Sequence, residues 1–182
     1  VVKELKGLKG VPIQLRFTAN SKYLVSGGKD SKITIWDPAS GEIRNQFKGH
    51  KKTIRSVSIS PDGKFIASGS DDKKIIVWNF KSGDQVFTIE AHKGGVTAVD
   101  FDPTGTKLVS GGQDKHIKVW DARSGKNLMD FEAHNGWVRD AAFSPDGMLI
   151  ASAGDDRLVN FWSADDGELQ NRINVHKKWV QS

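Results

Sequence analysis

Apolar and polar residues alternate along this chain in short runs, broken at regular intervals by turn-forming sequence. That period suits strands, not helices. Between positions 53 and 89 the pattern predicts four strands: Thr53–Ile59, Lys64–Ser68, Lys74–Trp78 and Gln85–Ile89. The first is rich in β-branched residues. Ser60-Pro61-Asp62-Gly63, Asp71-Asp72-Lys73 and Lys81-Ser82-Gly83-Asp84 separate them as turns. Pro presets φ in such turns and Gly closes them. Downstream the plan recurs, with Asp102-Pro103-Thr104-Gly105 and Ser144-Pro145-Asp146-Gly147 as first turns and Gly41, Gly83, Gly125 and Gly167 in register in the last ones.

The apolar columns predict how the sheets pack. In the first strand of each unit one column reads Leu15, Val57, Val99, Ala141, and the next reads Phe17, Ile59, Phe101, Phe143. Second strands carry adjacent apolar pairs: Leu24-Val25, Ile66-Ala67, Leu108-Val109 and Ile150-Ala151. Adjacent residues point to opposite faces of a sheet. These strands are therefore expected to be covered on both sides, as in small sheets stacked face to face around an axis. Fourth strands such as Ile43–Phe47 are more mixed, which suits an outer edge.

Polar columns repeat with the same period. Trp36, Trp78, Trp120 and Trp162 stand 42 residues apart, as do Ser26, Ser68, Ser110 and Ser152. Asp30, Asp72, Asp114 and Asp156 form a third column, and His50, His92, His134 and His176 a fourth. Self-similarity at such a period is the mark of a stacked repeat architecture. With Gly49-His50 opening a unit, Asp72 in a tight turn and Val77-Trp78 ending a third strand, the units resemble the WD40 repeat. Trp36-Asp37 and Trp120-Asp121 keep the family's dipeptide; Trp78-Asn79 and Trp162-Ser163 relax it. The resemblance covers nearly the whole chain. It implies an all-β propeller section of four four-stranded antiparallel blades around a central channel. It also implies that Trp donates to Ser, Ser bonds to His, and His bonds to Asp. The sets would be His50, Ser68, Asp72, Trp78; His92, Ser110, Asp114, Trp120; and His134, Ser152, Asp156, Trp162.

The first repeat departs from the pattern, with Leu8 at the His position and Pro12 where a β-branched residue is expected. Asp30 then needs solvent or another partner, and this blade is expected to be the least stable. The repeats divide the chain into 6–47, 48–89, 90–131 and 132–173. Residues 1–5 then match the outer strand of a preceding blade, and 174–182 the start of a further one. Residues 1–14 and 169–182 share one phase of the repeat, so a closed four-blade ring would have two segments competing for one place. Seven blades at 40–45 residues each would need roughly 290 residues. The expectation is a section of a larger ring of about seven blades, completed by flanking chain or by a second copy.

Composition narrows the function classes. Cysteine is absent, which excludes disulfides and thiolate metal sites. The absence fits a reducing compartment. No apolar run is long enough for a bilayer and no stretch reads as a leader, so an intracellular chain of cytoplasm or nucleus, with no membrane partner, is expected. The net charge of +5 is spread out, and only Lys51-Lys52 and Lys177-Lys178 hint at a nucleic-acid surface. The Ser, His and Asp columns do not form a hydrolase triad: the serines lie within strands and recur, without an elbow or oxyanion hole. One His per blade cannot share a metal. His116 lies off the column and is expected to be simply exposed. No catalytic residue, metal or cofactor is expected.

What remains is binding by loops on a rigid frame. The resemblance points to the face where first strands begin. Its residues are Thr53 and Arg55, Gly95 and Thr97, Trp137 and Arg139, Trp179 and Gln181, together with Lys29, Asp71, Gln113 and Asp155 in the turns. Trp and Arg are enriched at hot spots; the plainer reading packs Trp137 and Trp179 beside the channel. The expected function is a protein-interaction scaffold within a multiprotein assembly. The alternatives are a propeller reading nucleic acid or chromatin, and a structural module of a larger protein. His134 to Trp162 loosely resembles blades of centriolar and ciliary WD-repeat proteins.

Overall fold

The computed structural model describes residues 10–174, and every regular element among them is a β-strand. The strands form four four-stranded antiparallel sheets, each paired in chain order. The first sheet holds β1 (Pro12–Phe17), β2 (Leu24–Gly28), β3 (Lys32–Asp37) and β4 (Glu42–Lys48). The second holds β5 (Ile54–Ile59), β6 (Phe65–Ser70), β7 (Lys74–Asn79) and β8 (Gln85–Glu90). The third holds β9 (Val96–Phe101), β10 (Lys107–Gly112), β11 (His116–Asp121) and β12 (Asn127–Glu132). The fourth holds β13 (Val138–Phe143), β14 (Leu149–Gly154), β15 (Val159–Ser163) and β16 (Leu169–Ile173). The outer strand of a preceding unit expected at 1–5 lies outside the described residues, as do His176, Trp179, Gln181 and all but the first residue of the further unit expected at 174–182.

Hydrophobic burial between successive sheets holds the array together. Val25, Ile33, Ile35 and Phe47 of the first sheet pack against Ile54, Val57, Ile66 and Trp78 of the second. The second and third sheets repeat this with Ala67, Ile75, Val77 and Ile89 against Val96, Val99, Leu108 and Trp120. Val109, Ile117 and Val119 meet Val138, Ala141, Ile150 and Trp162 at the last junction. Each inner strand carries a register shift near its start, between Ile54 and Ser56 in β5. That bulge turns Ile54 and Val57 to the same face, three residues apart. Both press on Gly27, where an added methyl would lie 2.6 Å from Ile54 Cγ2. Gly69 and Gly111 admit Val96 and Val138 in the same way. The fourth sheet carries Ala153 at this position, and no described sheet follows it.

The two end faces of the array are less covered. Leu15 is 47% exposed and Phe17 60%, whereas Val57, in Leu15's column, is fully buried. At the other end Ile173 is 37% exposed, against 3% for Phe47 in its column. The first turn of the later sheets takes Gly63, Gly105 and Gly147 at φ near +70°, a region glycine enters without steric cost.

The inner strands β1, β5, β9 and β13 pack side by side in that order. Polar residues stitch them. Ser56 Oγ accepts the Val99 N–H at 3.0 Å, and Ser58 Oγ donates to Asp100 Oδ1 at 2.9 Å. The Phe143 N–H donates to Asp100 Oδ2 at 3.2 Å. One carboxylate therefore ties three sheets together. Burial pushes the Asp100 carboxyl above its ordinary range despite these bonds. Burial likewise raises Asp140.

Candidate docking face

The repeated polar columns meet inside each of the last three sheets. Trp78 Nε1–H donates to Ser68 Oγ at 2.8 Å, and Ser68 Oγ lies 2.8 Å from His50 Nε2. His50 Nδ1 is 2.9 Å from Asp72 Oδ2, which also accepts the Lys51 N–H at 2.8 Å. The third sheet repeats the chain: Trp120 to Ser110 at 2.8 Å, Ser110 to His92 at 2.8 Å, His92 to Asp114 at 2.8 Å. The fourth gives Trp162 to Ser152 at 2.8 Å, Ser152 to His134 at 2.8 Å and His134 to Asp156 at 2.9 Å. The directions are self-consistent with a neutral imidazole. The indole donates to the hydroxyl, the hydroxyl donates to Nε2, and Nδ1–H donates to the carboxylate. Desolvation lowers the His50 pKa below its ordinary value, outweighing the carboxylate beside it. Burial would raise the Asp114 carboxyl, but His92 and the Lys93 N–H hold it down to about 2. Asp72 and Asp156 are likewise depressed: burial pushes them up, and the backbone N–H and imidazole donors prevail.

These serines are buried, and each hydroxyl is held between an indole and an imidazole. Such an arrangement carries load between strands and presents no nucleophile to solvent. The first sheet keeps only part of it. Trp36 Nε1–H donates to Ser26 Oγ at 2.9 Å, and Asp30 Oδ1 accepts the Lys32 N–H at 3.3 Å. Asp30 Oδ2 is buried and has no hydrogen-bond partner among the described residues. The expected partner of that oxygen is thus not among them. Gly10 packs against Asp30 so closely that an added methyl would sit 2.8 Å from the Asp30 amide nitrogen. His116 is corrected: it is not simply exposed, since its Nδ1 meets Asp130 Oδ1 across the strand pair at 2.7 Å.

The rim where the inner strands begin, here the upper rim, carries the residues singled out for docking. Arg55 and Asp71 form a bidentate pair, with Nε to Oδ1 at 2.9 Å and Nη2 to Oδ2 at 2.7 Å. Two repeats on, Arg139 and Asp155 pair the same way, with Nη2 to Oδ2 at 2.8 Å. The Arg139 guanidinium also lies 4.8 Å from the centre of the Trp137 ring, within cation–π range. Trp137 stays 43% exposed. Thr97 and Gln113 turn inward. The Thr97 hydroxyl reaches the Gly111 and Val138 carbonyls at 2.9 and 2.6 Å, and Gln113 Oε1 accepts the Gly95 N–H at 3.0 Å. Thr53 is half-buried and Lys29 exposed. Below the rim a cavity of about 490 Å³ opens between inner strands, lined by Gln14, Arg16, Arg55, Thr97, Arg139 and Asp140. Arg16, Asp100 and Asp140 were not among the residues singled out from sequence. Their signal was charge in inner-strand columns whose other members are uncharged: Arg16 and Asp100 share a column with Ser58 and Ala142, and Asp140 shares one with Gln14, Ser56 and Ala98. Among the described residues no group of His, Asp and Glu could hold a metal ion, and no helix is long and apolar enough to cross a membrane.

Comparison with known proteins yields one family model, "WD domain, G-beta repeat", which matches residues 2–37, 41–79, 83–121 and 125–163. Three curated relatives match over short stretches. The transcriptional repressor rco-1 of Neurospora crassa is 32% identical over 60 residues, covering 33% of this chain and 10% of that protein. The nuclear distribution protein PAC1-1 of Uncinocarpus reesii is 43% identical over 42 residues, 23% of this chain and 9% of that one. The cilia- and flagella-associated protein 52 of Bos taurus is 34% identical over 62 residues, 34% of this chain and 10% of that protein. The matches thus span about a tenth of each relative's length.

Proposed function

The chain belongs to the WD40 repeat family, and on that premise we propose that it is a non-catalytic scaffold that binds other proteins through its upper rim. The observation that carries this reading is the exposed Trp137 with Arg139 stacked on it and Asp155 holding the guanidinium. A large aromatic ring fixed by its neighbours loses little freedom on binding, which is what a hot spot requires. The regular spacing of the tetrads along the chain supports a rigid frame beneath it. Function on such a frame lives in the rim, since the polar sets inside are occupied with one another.

The uncovered apolar end faces support ring completion by flanking chain or a second copy, with the repeats divided at 6–47, 48–89, 90–131 and 132–173. The relatives' names, a transcriptional repressor, a nuclear distribution protein and a ciliary protein, support an intracellular role in a multiprotein assembly. The test is an affinity measurement. Partners captured from cell extract are titrated against the unaltered protein, Trp137→Ala and Arg139→Ala, with Met148→Ala on the opposite rim as control. Each upper-rim change should cost about 2 kcal/mol, close to a thirtyfold loss. Unchanged affinity for every partner would overturn the assignment of this rim.

A further inference from the structure

We propose that the upper rim takes an acidic peptide segment, its carboxylates spread over a ring of unpaired cations and an apolar side chain set against Trp137. The inference rests on the scaffold reading above and adds the partner's chemistry. It starts from where the topology sends charge. The β2–β3, β6–β7, β10–β11 and β14–β15 turns all reach the upper rim, and three of them place a cation directly after the tetrad carboxylate: Lys73, Lys115 and Arg157. These three hold positive φ, +75°, +74° and +70°. Lys51 and Lys93 flank the same carboxylates from the other side through their backbone N–H groups, and Lys29 occupies the first turn. All six are exposed, and none forms an ion pair among the described residues.

The acids around the channel mouth are already engaged. Asp72, Asp114 and Asp156 serve the tetrads. Asp71 and Asp155 hold Arg55 and Arg139. Hydrogen bonding leaves the tetrad carboxylates charged but buried beneath the rim. The exposed cations Lys29, Lys51, Lys73, Lys93, Lys115 and Arg157 therefore outnumber the turn carboxylates Asp30, Asp72, Asp114 and Asp156 and give the outer surface a positive excess. The opposite rim has the reverse character, with Asp37, Asp62, Asp121, Asp146 and Asp166 in its turns. Those carboxylates are engaged too, each accepting backbone N–H groups of its own turn. That rim also exposes Asp84, Asp165 and Glu168 among the cations Lys81, Arg123 and Lys126. A second copy stacked on the upper rim would thus bring like charge with it, and an acidic segment of another chain is the better-matched occupant.

A peptide fits this surface better than a nucleic acid. Strand-tracking nucleic-acid sites combine cations with a series of stacking aromatics, and here Trp137 is the sole exposed tryptophan among the described residues. Two of the three rim arginines, the residue type suited to bidentate phosphate contacts, are occupied by Asp71 and Asp155, which leaves Arg157. What is left is separated lysines and one arginine around one apolar anchor, a pattern matched by carboxylates spaced along an extended chain.

The test is fluorescence anisotropy with three labelled probes: a short peptide alternating Glu and Leu, its Gln–Leu counterpart, and an oligothymidylate of equal charge. The Glu–Leu peptide should bind and the Gln–Leu peptide should bind at least about tenfold more weakly. The triple variant Lys73→Gln, Lys115→Gln, Arg157→Gln should lose about tenfold, the compounded effect of three exposed ion pairs. Trp137→Ala should weaken binding as well, and Lys22→Gln with Lys81→Gln on the opposite rim should not. Retained thermal melting of each variant shows that the fold survives. Absence of Glu–Leu binding, equal binding of the two peptides, indifference to the triple variant, or tighter binding of the oligothymidylate would each overturn the inference. If captured partners still depend on Trp137 while the acidic peptide is ignored, the peptide inference falls and the scaffold reading stands. If neither depends on the rim, both fall.

Discussion

Replacing Asp114 by Asn keeps the shape of the side chain and removes its charge. In the folded protein the Asp114 carboxylate accepts from His92 Nδ1 at 2.8 Å, from the Lys93 N–H at 2.8 Å and from the His116 N–H at 3.4 Å. An amide can keep the imidazole as donor partner, but its NH₂ group then faces the Lys93 N–H. Hydrogen bonds to a charged group contribute about 1.5–3 kcal/mol, roughly twice a neutral pair. Weakening one short bond and opposing another should therefore cost about 2–3 kcal/mol. The pH dependence supplies the sharper check. Asp114 is held at about 2 in the fold against an ordinary value of 3.8. A carboxyl depressed by folding contributes stability that is present above its unfolded pKa and lost as pH falls through its folded one. The gap between the two proteins should thus be full at neutral pH, begin to shrink near pH 4 and close as pH approaches 2. Urea unfolding followed by tryptophan fluorescence across this range measures it. A deficit that stays constant down to the acid limb, or one below about 0.5 kcal/mol at neutral pH, the scale of an ordinary surface change, would refute the argument.

Other outcomes follow from the same geometry. Asp30→Asn should leave stability unchanged or raise it, because it neutralises a carboxylate whose buried oxygen has no partner among the described residues; a loss as large as that of Asp114→Asn in the same unfolding assay would show a partner outside them. Gly69→Ala should cost about 1–3 kcal/mol by overpacking, since the new methyl would meet Val96 Cγ1 at 2.6 Å; an unshifted urea midpoint would contradict it. Asp100→Asn should gain stability relative to the unaltered protein as pH rises, because burial raises the Asp100 carboxyl in the fold and ionising it opposes folding; calorimetry at pH 4 and pH 7 reads the sign. In hydrogen exchange the strands of the first sheet, which lacks a complete tetrad, should be the least protected; finding them the most protected would reverse the ranking.

Much of the fold was legible because the period carries it. The columns of Trp, Ser, His and Asp could be read at one spacing, and the strands fall where alternation and turn residues put them. The differences are local. The second strand of the second unit runs to Ser70, not Ser68, because Gly69 and Ser70 stay paired with Ser56 and Ile54. The inner-strand bulge was hidden, since a period of two cannot predict that Ile54 and Val57 share a face. At the rim, the sequence marked Arg55, Asp71, Arg139 and Asp155 separately. Their pairing links the start of one strand to the turn after the next, across 16 residues, and no local pattern encodes that contact. The role of Asp100 was hidden for a similar reason: its partners Ser58 and Phe143 come from the sheets on either side.

The most direct check is the exchange of the indole N–H protons, resolved by NMR in the free protein. Trp36, Trp78, Trp120 and Trp162 should exchange slowly, each donating to a buried serine, while Trp137 exchanges at the rate of an open side chain. Fast exchange across the four repeated indoles would mean that the polar columns do not pin the sheets, and a slow Trp137 would mean that the docking rim is closed.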